Sequence, residues 1–166
     1  PMDLLAIARL INEGPILSRV IEVGTGTGGS AYFWRSSGAS HVWTIDHVPP
    51  PRPFGDRGIT FIHSESLIAA PDKRLAGLPA LVILDGDHHR ETVLRELHLY
   101  NIFIPPGGYL IVCDTHFNGH PIDPDFGPGP WEAVEAFLAE QDDFVRDRDV
   151  EPLFTFNPGG YLRRVK

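Results

Sequence analysis

The sequence predicts an α/β fold with a mostly parallel sheet, helices on both of its faces and an antiparallel β-hairpin at the C-terminal end. The first observation behind this prediction is that short apolar runs alternate with segments of helical periodicity, which is the pattern of βαβ units. The second is a pair of apolar segments that flank a turn-forming Asn-Pro-Gly-Gly sequence near the end of the chain. We therefore expect one domain that spans residues 1–166.

The individual elements follow from these patterns. Apolar runs predict five parallel strands at residues 18–23, 41–45, 59–63, 81–84 and 109–113. Apolar residues at helical spacing predict helices at residues 4–11, 30–35, 92–103 and 131–138. The hairpin is predicted to pair residues 152–156 with residues 161–165.

Composition excludes several functional classes. The net charge of −8 argues against a surface that follows nucleic-acid phosphates. A single cysteine excludes an internal disulfide and any CxxC site. The apolar runs are far shorter than the roughly 20 residues of a membrane span. We expect a cytoplasmic protein whose partner is a small molecule, with no nucleic-acid or membrane partner; the sequence is also compatible with a homo-oligomer.

A glycine-rich loop follows the first predicted strand. Gly24, Gly26 and Gly29 match the dinucleotide-binding pattern G-x-G-x-x-G. The run from Glu22 to Gly28 equally matches the E/D-x-G-x-G-x-G loop of S-adenosylmethionine (SAM) methyltransferases. Both loops need glycine because a backbone without Cβ can approach a ligand and turn sharply. Glu22 favours SAM over NAD, since a carboxylate there can accept from the ammonium of SAM and would repel a pyrophosphate. The loop residues predicted to bind the cofactor are Glu22, Gly24, Thr25, Gly26 and Gly28.

Two further strand ends supply polar groups that suit other parts of the cofactor. Asp46 follows the second strand, close to the ~20-residue offset at which an acid binds the ribose hydroxyl pair. Glu65 and Ser66 follow the third strand and are predicted to contact the adenine end. A strand-end aspartate is also a common turn former, so the ribose role of Asp46 depends on the glycine loop beside it.

The richest polar cluster is expected after the fourth and fifth strands. Residues 85–89 read Asp-Gly-Asp-His-His, and residues 113–116 read Cys-Asp-Thr-His. Because both strands end at the same edge of a parallel sheet, Asp85 and Asp114 should lie side by side, with His88, His89 and His116 within reach. Paired carboxylates bind a hard cation, share a proton or are separated by hydrogen bonds, whereas nearby imidazoles suit Fe, Zn or Mn. The alternative is that these aspartates only cap helices and that the histidines are simply solvated.

These motifs resemble the cephalosporin hydroxylase family, a branch of the class I SAM-dependent methyltransferase fold. More distantly, they resemble the metal-dependent O-methyltransferases of sugars and catechols. The stretches that carry the resemblance are residues 21–29, 84–88, 106–115, 118–121, 127–134 and 155–163. The resemblance implies a Rossmann-like class I methyltransferase sheet, a SAM pocket and a Mg²⁺-type site. In the family that site uses one acid after the fourth strand and two acids after the fifth.

One position departs from this family pattern. Cys113 stands where the resemblance implies the first of the two fifth-strand acids. A neutral thiol is a poor ligand for Mg²⁺, which prefers oxygen atoms. Asp87, His88 or His116 could replace the missing ligand, with Mn²⁺ or another divalent cation in place of Mg²⁺; the alternative is that metal binding is lost. Asp85 and Asp114 remain the predicted metal ligands, and Asp85 is also counted among the cofactor-binding residues.

We therefore predict a SAM-dependent O-methyltransferase that acts on a hydroxyl group of a small natural product or sugar. The predicted catalytic residues are His88, Asp85 and Asp114, with His88 as general base because an unperturbed imidazole titrates near pH 6.5. Residues 117–130 are predicted to form a lid, since loops of this length are usually functional or disordered. The alternatives are a SAM-binding module without turnover and, less favoured, an NAD-dependent oxidoreductase.

Overall fold

The computed structural model describes residues 2–13, 17–69, 75 and 81–166. The strands of this structure are β1 (Arg19–Val23), β2 (His41–Asp46), β3 (Ile59–His63), β4 (Leu81–Leu84), β5 (Tyr109–Val112), β6 (Phe144–Arg146) and β7 (Tyr161–Arg164). They form one sheet in the order β3-β2-β1-β4-β5-β7-β6. The strands from β1 to β5 are parallel, and β7 pairs antiparallel with both β5 and β6. The predicted fold class is confirmed.

The helices of the described residues are α1 (Met2–Asn12), α2 (Gly29–Ser36), α3 (Ser66–Ala69), α4 (Arg90–Tyr100) and α5 (Pro130–Glu140). The helix predicted at residues 92–103 is divided into α4 and a 3₁₀ turn at Asn101–Phe103. The short α3 was not predicted, because four residues carry too little periodicity to recognise. No helix that the structure describes is long and apolar enough to cross a membrane.

Two apolar layers enclose the sheet. Val82 and Leu84 of β4 pack with α4 and α5 on one face, whereas Leu81 and Ile83 pack with α1 and α2 on the other. All four residues of β4, and all four of β5, are buried. A parallel strand covered on both faces is apolar throughout, which explains why these strands were visible in the sequence as continuous apolar runs.

The C-terminal hairpin forms, but its first strand was predicted at the wrong place. The structure pairs β7 with β6, and the predicted segment 152–156 lies in the connection between them. The polar groups of this segment bond instead to Asp3 of α1. The Asp3 carboxylate accepts hydrogen bonds from the Thr155 hydroxyl, from the Phe156 N–H at 3.0 Å and from the Tyr161 hydroxyl at 2.7 Å. The segment therefore fastens α1 to the sheet rather than extending it.

Candidate active site

A cleft of about 1110 Å³ opens at the carboxyl edge of the sheet. It is lined by the loops that follow β1, β2, β3 and β4 and by the first two turns of α4. Of the residues predicted to bind the cofactor, those that line the cleft are Gly24, Thr25, Gly26, Asp46, Glu65, Ser66 and Asp85. The cleft thus brings together groups from four separate strand ends.

The glycines of the loop after β1 have different structural roles. Gly24 has a φ of +96°, and a Cβ atom there would overlap the carbonyl oxygen of Asp85. Gly26 has a φ of +49°, but no described atom lies within 4 Å of the position that its Cβ would occupy. Gly24 is therefore required for close packing of two loops, whereas Gly26 leaves open space at the cleft wall.

Glu22 and Gly28, which were predicted to contact the cofactor, do not line the cleft. Glu22 is buried, and its two carboxylate oxygens accept hydrogen bonds from the Trp34 indole and the Thr44 hydroxyl, both at 2.7 Å. Burial raises the pKa of Glu22. At Gly28 a Cβ atom would lie 2.8 Å from the Phe54 ring. The predicted contact of Glu22 with the ammonium of SAM is not supported by this geometry, because Glu22 is buried and lies outside the cleft lining.

Glu22 instead stabilises the glycine loop through a chain of hydrogen bonds. The Thr44 hydroxyl donates its one hydrogen to Glu22, so it must accept from the Thr25 hydroxyl, which lies 2.7 Å away. Thr25 is itself buried. The chain of bonds from Thr25 through Thr44 to Glu22 holds the glycine loop at the ends of β1 and β2.

Asp46 holds the other side of the same loop. One of its carboxylate oxygens accepts from the N–H groups of Thr25 at 3.0 Å and Gly26 at 3.1 Å. The other oxygen accepts from the N–H of Val48 at 2.9 Å. Partial desolvation opposes ionisation, but these three backbone hydrogen bonds prevail and lower the pKa of Asp46. Asp46 is therefore a carboxylate, and the oxygen that faces Val48 keeps a lone pair for a further donor.

The loops after β4 and β5 bring Asp85, His88 and Asp114 together. One potential ligand atom from each of the three lies within 4.8 Å of the other two. His88 Nε2 is 3.4 Å from a carboxylate oxygen of Asp114. Desolvation by the cleft walls, followed by the charge of Asp114, raises the pKa of Asp85 to about 6, and His88 counteracts part of this shift. The cluster therefore concentrates negative charge where a cation or a protonated imidazole would relieve it.

The backbone after β5 is held by residues near the end of the chain. Asp114 has a φ of +54°, a left-handed conformation that is uncommon outside glycine. Its N–H donates to the Asn157 side-chain oxygen at 2.9 Å, and the Thr115 hydroxyl donates to the carbonyl oxygen of Pro158 at 2.9 Å. Sequence reasoning counted residues 155–163 among the stretches that resemble the family, but it assigned Asn157 no site role because the Asn-Pro-Gly-Gly sequence is typical of a turn.

Cys113 does not take the place of the missing acid. The side chain is buried in the apolar layer that contacts α1 and α2. Burial, with the nearby charges of Asp85 and Asp114, raises the pKa of the Cys113 thiol well above its usual range. The Asn157 side-chain amide donates to the Cys113 sulfur at 3.8 Å. The thiol is therefore neutral and is not an anionic ligand.

Of the three candidates to replace that acid, His88 is the one in the cluster. Asp87 accepts hydrogen bonds from the backbone N–H and the ring of His89, both at 2.7 Å. His116 has its ring Nδ1 bonded to the carbonyl oxygen of Phe156 at 2.7 Å, although that nitrogen also lies 3.7 Å from Asp114. Asp87 and His116 are thus engaged in local structure.

Residues 117–130 contact the loop that follows β4, where Phe117 lies 5.9 Å from His88 between ring centroids. Phe117 stacks on Phe126 with ring centroids 4.7 Å apart, and Phe126 in turn stacks on His89 at 5.8 Å. Glu132 of α5 fastens the segment by accepting from the side chains of Asn118 at 2.8 Å and His120 at 3.0 Å. Phe126 reaches the wall of the cleft.

Sequence reasoning also missed Glu96, which lines the cleft on the inner face of α4. The neighbouring inner-face residues Val93, Leu97 and Tyr100 are buried and were recognised from their spacing. The sequence signal for Glu96 was an acidic residue at a helix position that belongs to this apolar face.

The strand order, the glycine loop after β1 and the acidic groups after β4 and β5 define a Rossmann-like class I methyltransferase fold. The sequence profile of the Rhamnosyl O-methyltransferase/CmcI family matches residues 1–165, and the chain belongs to that family. This result confirms the predicted resemblance to the cephalosporin hydroxylase family. It also confirms the predicted class of enzyme, a SAM-dependent O-methyltransferase.

Individual relatives agree with this assignment. The rhamnosyl O-methyltransferase of Mycobacterium tuberculosis is 37% identical over a 164-position alignment that covers 89% of this chain and 67% of the relative. An apo structure of CmcI superposes with a TM-score of 0.74 at 20% identity, covering 100% of this chain and 72% of the other. A structure of CmcI with Mg and SAM superposes with a TM-score of 0.71 at 19% identity, with the same coverage.

Proposed function

We propose that this protein methylates a hydroxyl group of a sugar, with the acceptor bound at Asp85, His88 and Asp114. The observation that carries the proposal is one continuous cleft that contains both the glycine loop and Asp85. The relatives named as rhamnosyl O-methyltransferases support a deoxyhexose such as rhamnose as the acceptor.

The cleft has distinct surfaces for the parts of SAM. The open space beside Gly26 suits the methionine portion, because the backbone there can approach a ligand closely. The remaining acceptor capacity of Asp46 suits a ribose hydroxyl. Bound SAM supplies a methyl group on a sulfonium; transfer breaks the S–CH₃ bond, forms the O–CH₃ bond and releases the hydroxyl proton. The protein must therefore align the acceptor oxygen and provide a destination for that proton.

His88 is the proposed general base that accepts the hydroxyl proton. Its imidazole lies between the cleft and Asp114, whose carboxylate is 3.4 Å from Nε2. The negative charge of Asp114 stabilises the imidazolium that forms when His88 accepts the proton. Asp85, at the junction of the cluster and the glycine loop, is suited to orient the acceptor hydroxyl.

The same donor set fits a divalent cation. Asp85, His88 and Asp114 would hold the ion, and such an ion makes a bound hydroxyl group more acidic. An imidazole among the ligands favours Mn²⁺, Fe²⁺ or Zn²⁺ over Mg²⁺. Because His88 cannot be both a ligand and a free base, the metal dependence of the reaction separates the two arrangements.

The test is transfer of labelled methyl from SAM to a methyl rhamnoside, measured in EDTA and with added Mg²⁺ or Mn²⁺. His88→Ala should reduce turnover by about a hundredfold or more if His88 moves the proton. His98→Ala is the matched control, because His98 is paired with Glu140 of α5 and does not line the cleft. SAM binding without transfer to any hydroxyl acceptor would instead identify an inert SAM-binding module.

A further inference from the structure

Glu96 is a buried acid whose carboxylate oxygens form no hydrogen bond or ion pair with the residues that the structure describes. It lies in the second turn of α4 and its exposed fraction is 0%. Neither of its carboxylate oxygens has a hydrogen-bond partner among the residues that the structure describes. An unpaired buried carboxylate is costly for a folded protein. A group of this kind in a ligand cleft indicates that its partner arrives with the ligand.

No described residue neutralises the charge of Glu96 through an ion pair. Burial, with a smaller contribution from Asp87, raises the pKa of Glu96 to about 7, while the Ser66 side chain opposes the shift. The nearby Tyr100 hydroxyl is already committed, because it donates to the carbonyl oxygen of Ser66 at 2.7 Å. No ion pair to Glu96 is formed within the described part of the chain.

The position of Glu96 in the cleft identifies the part of the ligand that reaches it. The reacting methyl group must lie near Asp85, and the ribose near Asp46 at the end of β2. A third part of the cleft wall is formed by residues 64–68 after β3 and by Thr92, Arg95 and Glu96 of α4. The adenine ring lies at the far end of SAM from the methionine, so it is the group left to fill this part of the cleft. This assignment of the adenine ring rests on the proposed function.

We propose that Glu96 recognises adenine by accepting a hydrogen bond from its exocyclic N6 amine. A carboxylate only accepts hydrogen bonds, and the amine has hydrogens to donate. Hypoxanthine carries an oxygen acceptor at the same ring position, so a carboxylate there repels it. Glu96 is thus a specificity-determining residue that selects an adenosyl over an inosyl ligand.

The test compares S-adenosylhomocysteine with S-inosylhomocysteine by calorimetry at pH 8.5, on the wild type, Glu96→Leu and Glu96→Gln. The wild type should bind the adenosyl compound about tenfold or more tightly than the inosyl one. Glu96→Leu should lose most of this preference. Glu96→Gln should narrow it, because the amide keeps an acceptor for N6 and gains a donor for the inosyl oxygen. Glu91→Gln, on the exposed side of α4, is the control and should keep the wild-type preference.

The outcomes are distinct. A wild type that binds neither compound overturns the proposed function and this role with it. A wild type that binds S-adenosylhomocysteine but shows the same preference as Glu96→Leu and Glu96→Gln leaves the proposed function intact and overturns the role of Glu96. Thermal denaturation checks that each variant is folded; should Glu96→Leu fail to fold, the isosteric Glu96→Gln decides alone.

Discussion

A Cβ atom on Gly24 would collide with the carbonyl oxygen of Asp85. The glycine loop and the loop after β4 therefore touch through their backbones, and the Asp85 N–H also donates to the carbonyl oxygen of Val23 at 2.8 Å. This contact joins the predicted cofactor loop to the acidic cluster. The donor and acceptor sites share one cleft because a glycine lets these loops meet.

Gly24 and Gly26 should respond differently to substitution. Gly24→Ala should lower the free energy of unfolding by about 1–3 kcal/mol or more, because it combines backbone strain with the overlap at Asp85. Gly26→Val should leave a folded protein that no longer binds SAM, because its side chain enters open cleft. Urea denaturation and calorimetry with SAM measure the two effects.

The control for Gly26→Val is Gly107→Val. Gly107 also has a positive φ, +81°, and open space around its Cβ position, but it does not line the cleft. Its variant should show a comparable strain and unchanged SAM affinity. A folded Gly26→Val that binds SAM like the wild type would contradict the predicted role of the loop.

Asp46→Ala should weaken SAM binding by about 1.5–3 kcal/mol, the usual value of a hydrogen bond to a charged group. The change removes the acceptor for the ribose and also releases the N–H groups of Thr25 and Gly26. Asp56→Ala is a matched control, because Asp56 likewise accepts from a backbone N–H two residues on, that of Gly58, and lies outside the cleft. Equal SAM affinities for the two variants would exclude Asp46 as the ribose ligand.

Cys113→Asp tests the departure from the family metal site. Without a cation it should destabilise the protein, because a third acid is added beside Asp85 and Asp114. Mg²⁺ should then raise the unfolding temperature of the variant more than that of the wild type, whereas the wild type should respond better to Mn²⁺ or Zn²⁺. Should Mg²⁺ affect both equally while Asp85→Ala still abolishes transfer, the carboxylates act without a metal ion.

Residues 117–130 should behave as a lid in limited proteolysis. Chymotrypsin cleavage near Phe117 or Phe126 should decrease when SAM and the acceptor are bound. Glu132→Ala should increase cleavage, because it releases the side chains of Asn118 and His120. Glu140→Ala, at the other end of α5, is the control. Cleavage that is insensitive to both ligands would indicate an insertion without a lid function.

Glu96 should make the stability of the protein fall as the pH rises. Its pKa in the folded protein is about 7 and its ordinary value is 4.5, so between these pH values the folded state binds more protons than the unfolded state. The stabilisation that comes from protonated Glu96 is therefore fully present below pH 4.5 and is lost as the pH rises through about 7. Among the described residues, the titratable groups that interact with Glu96 are Asp87 and Tyr100.

Urea denaturation from pH 4.5 to 8 measures this effect. The free energy of unfolding of Glu96→Gln should fall less over this range than that of the wild type, with the gap widest at high pH. Glu91→Gln removes the same charge from an exposed position of α4 and should follow the wild-type curve. Parallel curves for all three proteins would show that Glu96 does not titrate as stated.

The sequence alone was sufficient for the parallel part of the sheet. Each strand from β1 to β5 was predicted within one residue of its observed ends. Burial on both faces makes β1, β4 and β5 local apolar runs that need no partner to be recognised. The strands β2 and β3 are only partly buried and were recognised as short runs rich in apolar residues. The strand ends also predicted the neighbouring positions of Asp85 and Asp114, because parallel strands share one carboxyl edge. These features depend on local sequence pattern and on the parallel arrangement of the strands.

Only the tertiary structure decided which of several equivalent local patterns is used. Residues 144–146 and 152–156 could each have paired with β7, and Asp3, at the opposite end of the chain, binds the second segment. Similarly, Glu22 fits a ligand-binding motif, but Trp34 and Thr44 occupy its oxygens. A carboxylate or a strand edge forms its hydrogen bonds with partners that are distant in the sequence. The local spacing of residues therefore cannot predict which partner is used.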